Sequence, residues 1–333
     1  MIDLLLLFVP FFVLVLLGWA AARGKLLPLE GIGALNSFVL YFGLSAMVFR
    51  LSASGALMQP GLAGLLLAYG VAGSVVAVLA LIWGVRVGLV RRDSGLVALV
   101  TAFPNTGFLG LPLLTGLLGP HAAGPVAATL IIDVLILSSL CLAWAHSHAA
   151  REVLSPGADS HEAWHAAQAS LKGALRNPLL WSMAVGMLVA VLGLHLPHPL
   201  DETIRLLGLS ATPTALLTLG AMLARAQMQP HQGGVLPAIW GPALLKLVLH
   251  PAMVCGVGWG LHRAGVTLTD AGLLTVTMAA ALPSASNVSM LAEREGANTT
   301  LVARVILWTT ALALVSIAVW ARVLGVQAGA ATT

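Results

Sequence analysis

Apolar stretches of about 20 residues recur along the chain, separated by short clusters of proline, glycine or charge. A helix rises 1.5 Å per residue, so about 20 apolar residues cross the roughly 30 Å hydrocarbon core of a bilayer. The pattern predicts ten such helices, near residues 2–22, 29–49, 61–85, 95–118, 122–145, 178–195, 204–224, 235–260, 270–292 and 299–321. The first is read as a retained span rather than a signal peptide. Its leading charge is Asp3, not Lys or Arg, and its apolar run exceeds the 7–15 residues usual for a signal core.

Composition fixes the solvent. Residues of the AVILMFWYC set make up 59% of the 333 positions and charged residues 8%, where soluble domains carry about 25% charge. A globule of this length would lack the polar groups to coat its surface, so the chain is predicted to be an all-α integral membrane protein with the lipid bilayer as its partner. Soluble enzymes and disordered scaffolds are thereby excluded. The formal charge of +4 is spread over loops without a basic stripe, which argues against nucleic acid. Cys141 and Cys255 fall inside apolar segments and provide no disulfide framework.

Charge next sets orientation, since cytoplasmic loops collect Lys and Arg. With the N-terminus outside, Arg23, Lys25, Arg86, Arg91, Arg92, Arg151, Lys172, Arg176, Arg225 and Arg294 are cytoplasmic, and Arg50, Arg205, Arg263 and Arg322 are outside. Both termini are expected on the outer side.

The one long polar connection, residues 146–177, divides the chain into a first five-helix repeat (1–145) and a second (178–333). Five spans per repeat turn the second upside down relative to the first, the inverted plan of many secondary transporters. "GLSAMVF" from Gly43 is echoed by "TPTALLTLG" from Thr212. A proline-centred interruption falls in the fourth span (Phe103-Pro104-Asn105-Thr106-Gly107) and again in the ninth (Leu282-Pro283-Ser284-Ala285-Ser286-Asn287).

Proline inside a helix removes a backbone donor and clashes with the preceding turn. A helix broken in hydrocarbon survives only where protein or a watery cavity satisfies the freed groups. Pro104 and Pro283 are each followed by short polar side chains: Asn105 and Thr106 before Gly107 in one half, Ser284, Ser286 and Asn287 in the other. One such site reads equally as an ordinary kink capped by Ser or Asn. Two in matching positions point to a solute held between Asn105 and Asn287, with the half-helix N-termini directing positive dipole ends at an anion.

The strings "FPNTGFLGLPLL" from Phe103, "LNSFVLYFGLSAMVF" from Leu35 and "LPSASNVSMLAEREG" from Leu282 resemble the auxin efflux carrier family of permeases. The resemblance runs from the first span to the tenth. It implies a scaffold domain (spans 1, 2, 6 and 7), a transport domain (spans 3–5 and 8–10) and crossing broken spans 4 and 9, with Asn105, Gly107, Gly110, Pro112, Pro283 and Asn287 on motif positions. Ser45 stands where the family commonly has proline. Bacterial members are assigned organic anions such as malonate or malate, and plant members export auxin. The resemblance implies a small organic anion as substrate and a bacterial membrane permease. A place in the cytoplasmic membrane is expected, with a coupling proton, suggested by the mid-span carboxylate below, and a second copy of the chain as further partners, and with no cofactor and no metal.

Asp133 and Lys246 lie in mid-span. Each costs about 2.5–3.5 kcal/mol at a helix centre, so both are expected to face the protein interior. In one reading Asp133 carries a coupling proton while Lys246 replaces a sodium ion or holds the anion. In the other they form a static salt bridge pinning two helices. Arg304 is expected to snorkel, and His250 is read as a polar group bonded near Pro251 in preference to a member of a proton relay.

His161-Glu162-Ala163-Trp164-His165 matches H-E-x-x-H, whose two histidines hold zinc in metalloproteases. It sits in the polar connection, where an amphipathic surface helix is the blander reading. A membrane protease and a channel are the rival functions, the channel without a ring of like charges or a carbonyl filter to support it.

Overall fold

The computed structural model describes residues 2–146, 178–228 and 236–326. The described residues are helical throughout, and their one β-type contact is an isolated bridge. The helical segments are α1 (Ile2–Arg23), α2 (Gly31–Ala53), α3 (Leu62–Arg86), α4 (Arg91–Ala102), α5 (Thr106–Leu118), α6 (Pro120–His146), α7 (Pro178–Val191), α8 (His198–Met228), α9 (Pro237–Arg263), α10 (Asp270–Ala280), α11 (Asn287–Arg294) and α12 (Thr299–Val323). Among the described residues six segments are long and apolar enough to cross a membrane: α2, α3, α6, α8 up to Arg225, α9 and α12.

The helices are apolar on all sides, as membrane helices are, and side-chain size rather than polarity decides which face turns inward. On α3, Ala68, Ala72, Val76 and Ala80 are buried, while Leu67, Val71, Val75, Val78 and Ile82 are exposed at helical spacing. Small groups let backbones approach, and large ones are left for lipid. The closest approach is between α1 and α8: a Cβ on Gly18 would overlap the Leu217 carbonyl, and one on Gly220 would overlap that of Val15. Trp19 Nε1 then donates to Gln227 Oε1 at 3.0 Å.

Packing falls into two sets. Helix α8 lies against α1 and α2, and α7 against α2. Helix α3 lies against α4 and α9, α4 against α6, α9 against α10, and α12 against α9, α11 and α4.

Several helices contain a π turn, the five-residue backbone ring that commonly marks functional sites: Val39–Leu44 in α2, Thr106–Gly110 in α5, Ile132–Leu137 in α6 and Leu245–Leu249 in α9. In α2, Ser45 Oγ donates to the Leu40 carbonyl at 2.8 Å across the turn, so the helix runs on through the position where a proline was expected. In α6 and α9 the π turns contain Asp133 and Lys246.

Two predicted spans are interrupted as expected. The fourth stops at Ala102 and resumes at Thr106, and the ninth stops at Ala280 and resumes at Asn287. The seventh is longer than predicted, reaching back to His198 through charged residues that pair locally: Arg205 bonds Glu202 through Nε at 2.7 Å and Nη2 at 2.6 Å.

Candidate substrate site

The two interruptions meet. Pro104 and Ser284 form an antiparallel bridge, made by Asn105 N donating to the Pro283 carbonyl at 2.8 Å and Ala285 N donating to the Phe103 carbonyl at 3.0 Å. Each break thus satisfies backbone groups that the other's proline left without helical partners. This is what buried irregular backbone requires in a membrane. Further bonds hold each side. Thr106 N donates to the Pro104 carbonyl at 2.8 Å, and Leu109 and Gly110 both donate to the Asn105 carbonyl, at 3.1 and 2.9 Å. Ser284 N donates to Thr309 Oγ1 on α12 at 3.2 Å. Gly110 allows the approach, because a Cβ there would overlap Leu282 Cδ1 from the opposite break.

All eight predicted contact residues lie here: Pro104, Asn105, Thr106 and Gly107 on one side, Pro283, Ser284, Ser286 and Asn287 on the other. All are buried except Asn287, which is half-buried. Three of their polar atoms have no hydrogen-bond partner: Asn105 Nδ2, Ser284 Oγ and Asn287 Oδ1. A buried polar group left unpaired costs roughly 1–3 kcal/mol, so three together in one place mark a surface suited to a polar ligand.

Asp133 and Lys246 are fully buried, but they do not form the static ion pair that was one expectation: no salt bridge joins them among the described residues. Each is held by other polar neighbours instead. Asp133 Oδ1 accepts from Tyr69 Oη at 2.8 Å, and Oδ2 has no partner. Lys246 Nζ lies 3.2 Å from His250 Nδ1 and donates to the Ala280 carbonyl at 3.0 Å. The Tyr69 and His250 rings are 5.6 Å apart, so Asp133, Tyr69, His250 and Lys246 form one buried polar row. It ends on the last residue of α10, immediately before the second break. The reason lies in spacing: Lys246 and His250 are four residues apart on α9 and share a face. Sequence reasoning missed Tyr69, although a tyrosine in the middle of an apolar span needs a partner for its hydroxyl.

Beyond the second break, a cavity of about 100 Å³ is lined by α8 (Leu219, Met222, Leu223, Arg225), α11 and its approach (Ser286, Ser289, Glu293) and α12 (Thr299, Ala303, Ile306). It touches the site through Ser286.

Residues 4–321 match the family model described as membrane transport protein. The chain belongs to this family. Its members are transporters rather than enzymes, and the auxin efflux carriers are among its relatives. A protein of Rhizobium meliloti (strain 1021) named "Putative malonate transporter" is 27% identical over 318 residues, 92% of each chain. An "Uncharacterized transporter" of Methanothermobacter thermautotrophicus is 27% identical over 322 residues, 94% of this chain and 95% of the other. "Auxin efflux carrier component 8" of Arabidopsis thaliana is 25% identical over 296 residues, 74% of this chain and 78% of the other. This member of the membrane transport protein family is thus a multi-pass membrane transporter. The His161–His165 motif lies outside the described residues, and among the described residues no cluster of His, Cys, Asp and Glu could hold a metal ion.

Proposed function

We propose that the chain is a secondary transporter of a small organic anion, such as a mono- or dicarboxylate, working by alternating access around the meeting breaks. The observation that carries the proposal is the pair of unpartnered donors Asn105 Nδ2 and Ser284 Oγ, able to bond a carboxylate, with the Asn287 amide, whose Oδ1 is unpartnered, beside them. They sit beside the first turns of α5 and α11, where helix dipoles favour negative charge. The family relation and the name of the Rhizobium protein support a carboxylate.

In this reading α4 with α5 and α10 with α11 are the halves of two broken, crossing helices, giving ten crossings in a 5+5 inverted repeat (1–145 and 178–333 around the 146–177 loop). Helices α1, α2, α7 and α8 are the scaffold, and the remaining helices move against it. The Lys and Arg bias supports an orientation with both termini on the outer side of the cytoplasmic membrane. Lys246 puts an ammonium on the C-terminal carbonyl of α10, where other broken-helix transporters place a sodium ion. Asp133 is the carrier of a coupling proton.

Counterflow in proteoliposomes tests the function. Preloaded malonate, malate or indole-3-acetate should accelerate uptake of its labelled counterpart, saturably. Uptake that is linear in concentration and indifferent to preloading would indicate a channel. Asp133→Asn should remove the dependence of uptake on a pH gradient, and uptake that keeps it fully would dismiss Asp133 as the proton carrier.

A further inference from the structure

The cavity beside the second break joins the two packing sets, since α8 belongs to one and α11 and α12 to the other. Its charged lining residues are Arg225 on α8 and Glu293 on α11, and its hydroxyls are Ser286, Ser289 and Thr299. Arg225 Nη2 and Glu293 Oε2 are 3.6 Å apart, with the two side chains 29% and 62% exposed. That is an ion pair without a tight hydrogen bond, screened by water, and such pairs contribute little to stability. A guanidinium so loosely engaged is free to exchange one carboxylate for another, and its planar fork matches a carboxylate with two parallel bonds. Ser289 Oγ is already committed to the Ser286 carbonyl at 3.0 Å. Arg225 therefore remains the strongest anion-binding group on the cavity wall, and Ser286 leads from it to the break.

We propose that Arg225 is a specificity-determining residue that receives the carboxylate of the transported anion in this cavity, and that Glu293 is the carboxylate the substrate displaces. The inference rests on the organic-anion reading above and extends it: the site has an antechamber that selects for negative charge before the solute reaches Asn105 and Asn287. A neutral solute gains nothing from Arg225 and leaves the ion pair in place.

The test uses opposite signs. In proteoliposomes, with whichever of malonate, malate or indole-3-acetate the wild type carries fastest, Arg225→Gln should raise KM about tenfold with kcat little changed, as loss of one partly screened, charge-assisted contact requires. Arg225→Lys, which keeps the charge but not the fork, should raise it about threefold. Glu293→Gln removes the competitor and should lower KM. A clamp that merely ties α8 to α11 predicts one sign for both: the two neutralised variants break the same pair and shift kinetics in the same direction. KM unchanged in Arg225→Gln, or moving the same way in Arg225→Gln and Glu293→Gln, overturns the proposal. If Arg225→Gln does not fold, the signs for Arg225→Lys and Glu293→Gln decide. Wild-type flux lost in Asn105→Ala but unaffected at Arg225 removes the antechamber and leaves the central site standing. No flux of any of the three carboxylates in the wild type removes both.

Discussion

The two breaks share a chemistry and are both buried, and they differ in what lies beside them. The first, Phe103 to Asn105, is short and sealed: Asn105 is 2% exposed, a Cβ on Gly107 would press on Leu44, and Gly110 lies under Leu282. The second, Ala281 to Ser286, is longer, is tied to α12 through Thr309, and touches a cavity through Ser286 before giving way to half-buried Asn287. One side is closed in by neighbouring side chains, and the other borders the cavity. A polar group lost from the closed side has no water to replace it, whereas one lost beside a cavity does. The same Pro-then-polar motif should therefore respond very differently to mutation in the two halves.

The largest effect is expected at Asn105. Losing a buried hydrogen bond to a charged group costs about 1.5–3 kcal/mol, so Asn105→Ala should lower kcat/KM for the transported anion roughly 10–150-fold without reducing expression. Next comes the seal itself. Gly110→Val forces a side chain against Leu282 Cδ1 and should destabilise the protein by about 1–3 kcal/mol, visible as a lower Tm. Gly116→Val, with nothing within 4 Å of its added Cβ, is the control and should leave Tm nearly unchanged. The smallest effect belongs to Ser286→Ala, where water in the cavity replaces the hydroxyl and kcat/KM should stay within about threefold of wild type. A Ser286→Ala loss as large as that of Asn105→Ala would erase the distinction between the closed side and the cavity side.

Much of this was legible in the sequence because membranes impose simple rules. A run of apolar residues in a membrane must be helical, and a proline followed by Asn or Ser in matching positions of two halves points to an interruption, so both breaks and their flanking residues could be read from the sequence. That the breaks bond to each other through Asn105, Pro283, Phe103 and Ala285 could not be read, because those are backbone groups with no identity in the sequence. The role of Tyr69 was hidden for a related reason. Asp133 and Lys246 are opposite charges, and charge alone favours pairing them. The packing of α3 against α6 and α9 instead interposes a tyrosine and a histidine. Arg225 and Glu293 show a third kind of opacity. In sequence Arg225 is one of the loop cations that set orientation, and only the packing of α8 beside α11 makes it part of a cavity wall.

The central claim is that the meeting of the two breaks binds the transported anion. Its most direct test is equilibrium binding of that labelled anion to purified, folded wild type, Asn105→Ala and Asn287→Ala in detergent, with Tm measured alongside. The account predicts saturable binding to the wild type, its loss in Asn105→Ala and a smaller weakening in Asn287→Ala, both at unchanged Tm. Wild-type affinity in both variants would contradict it and place the substrate elsewhere in the molecule.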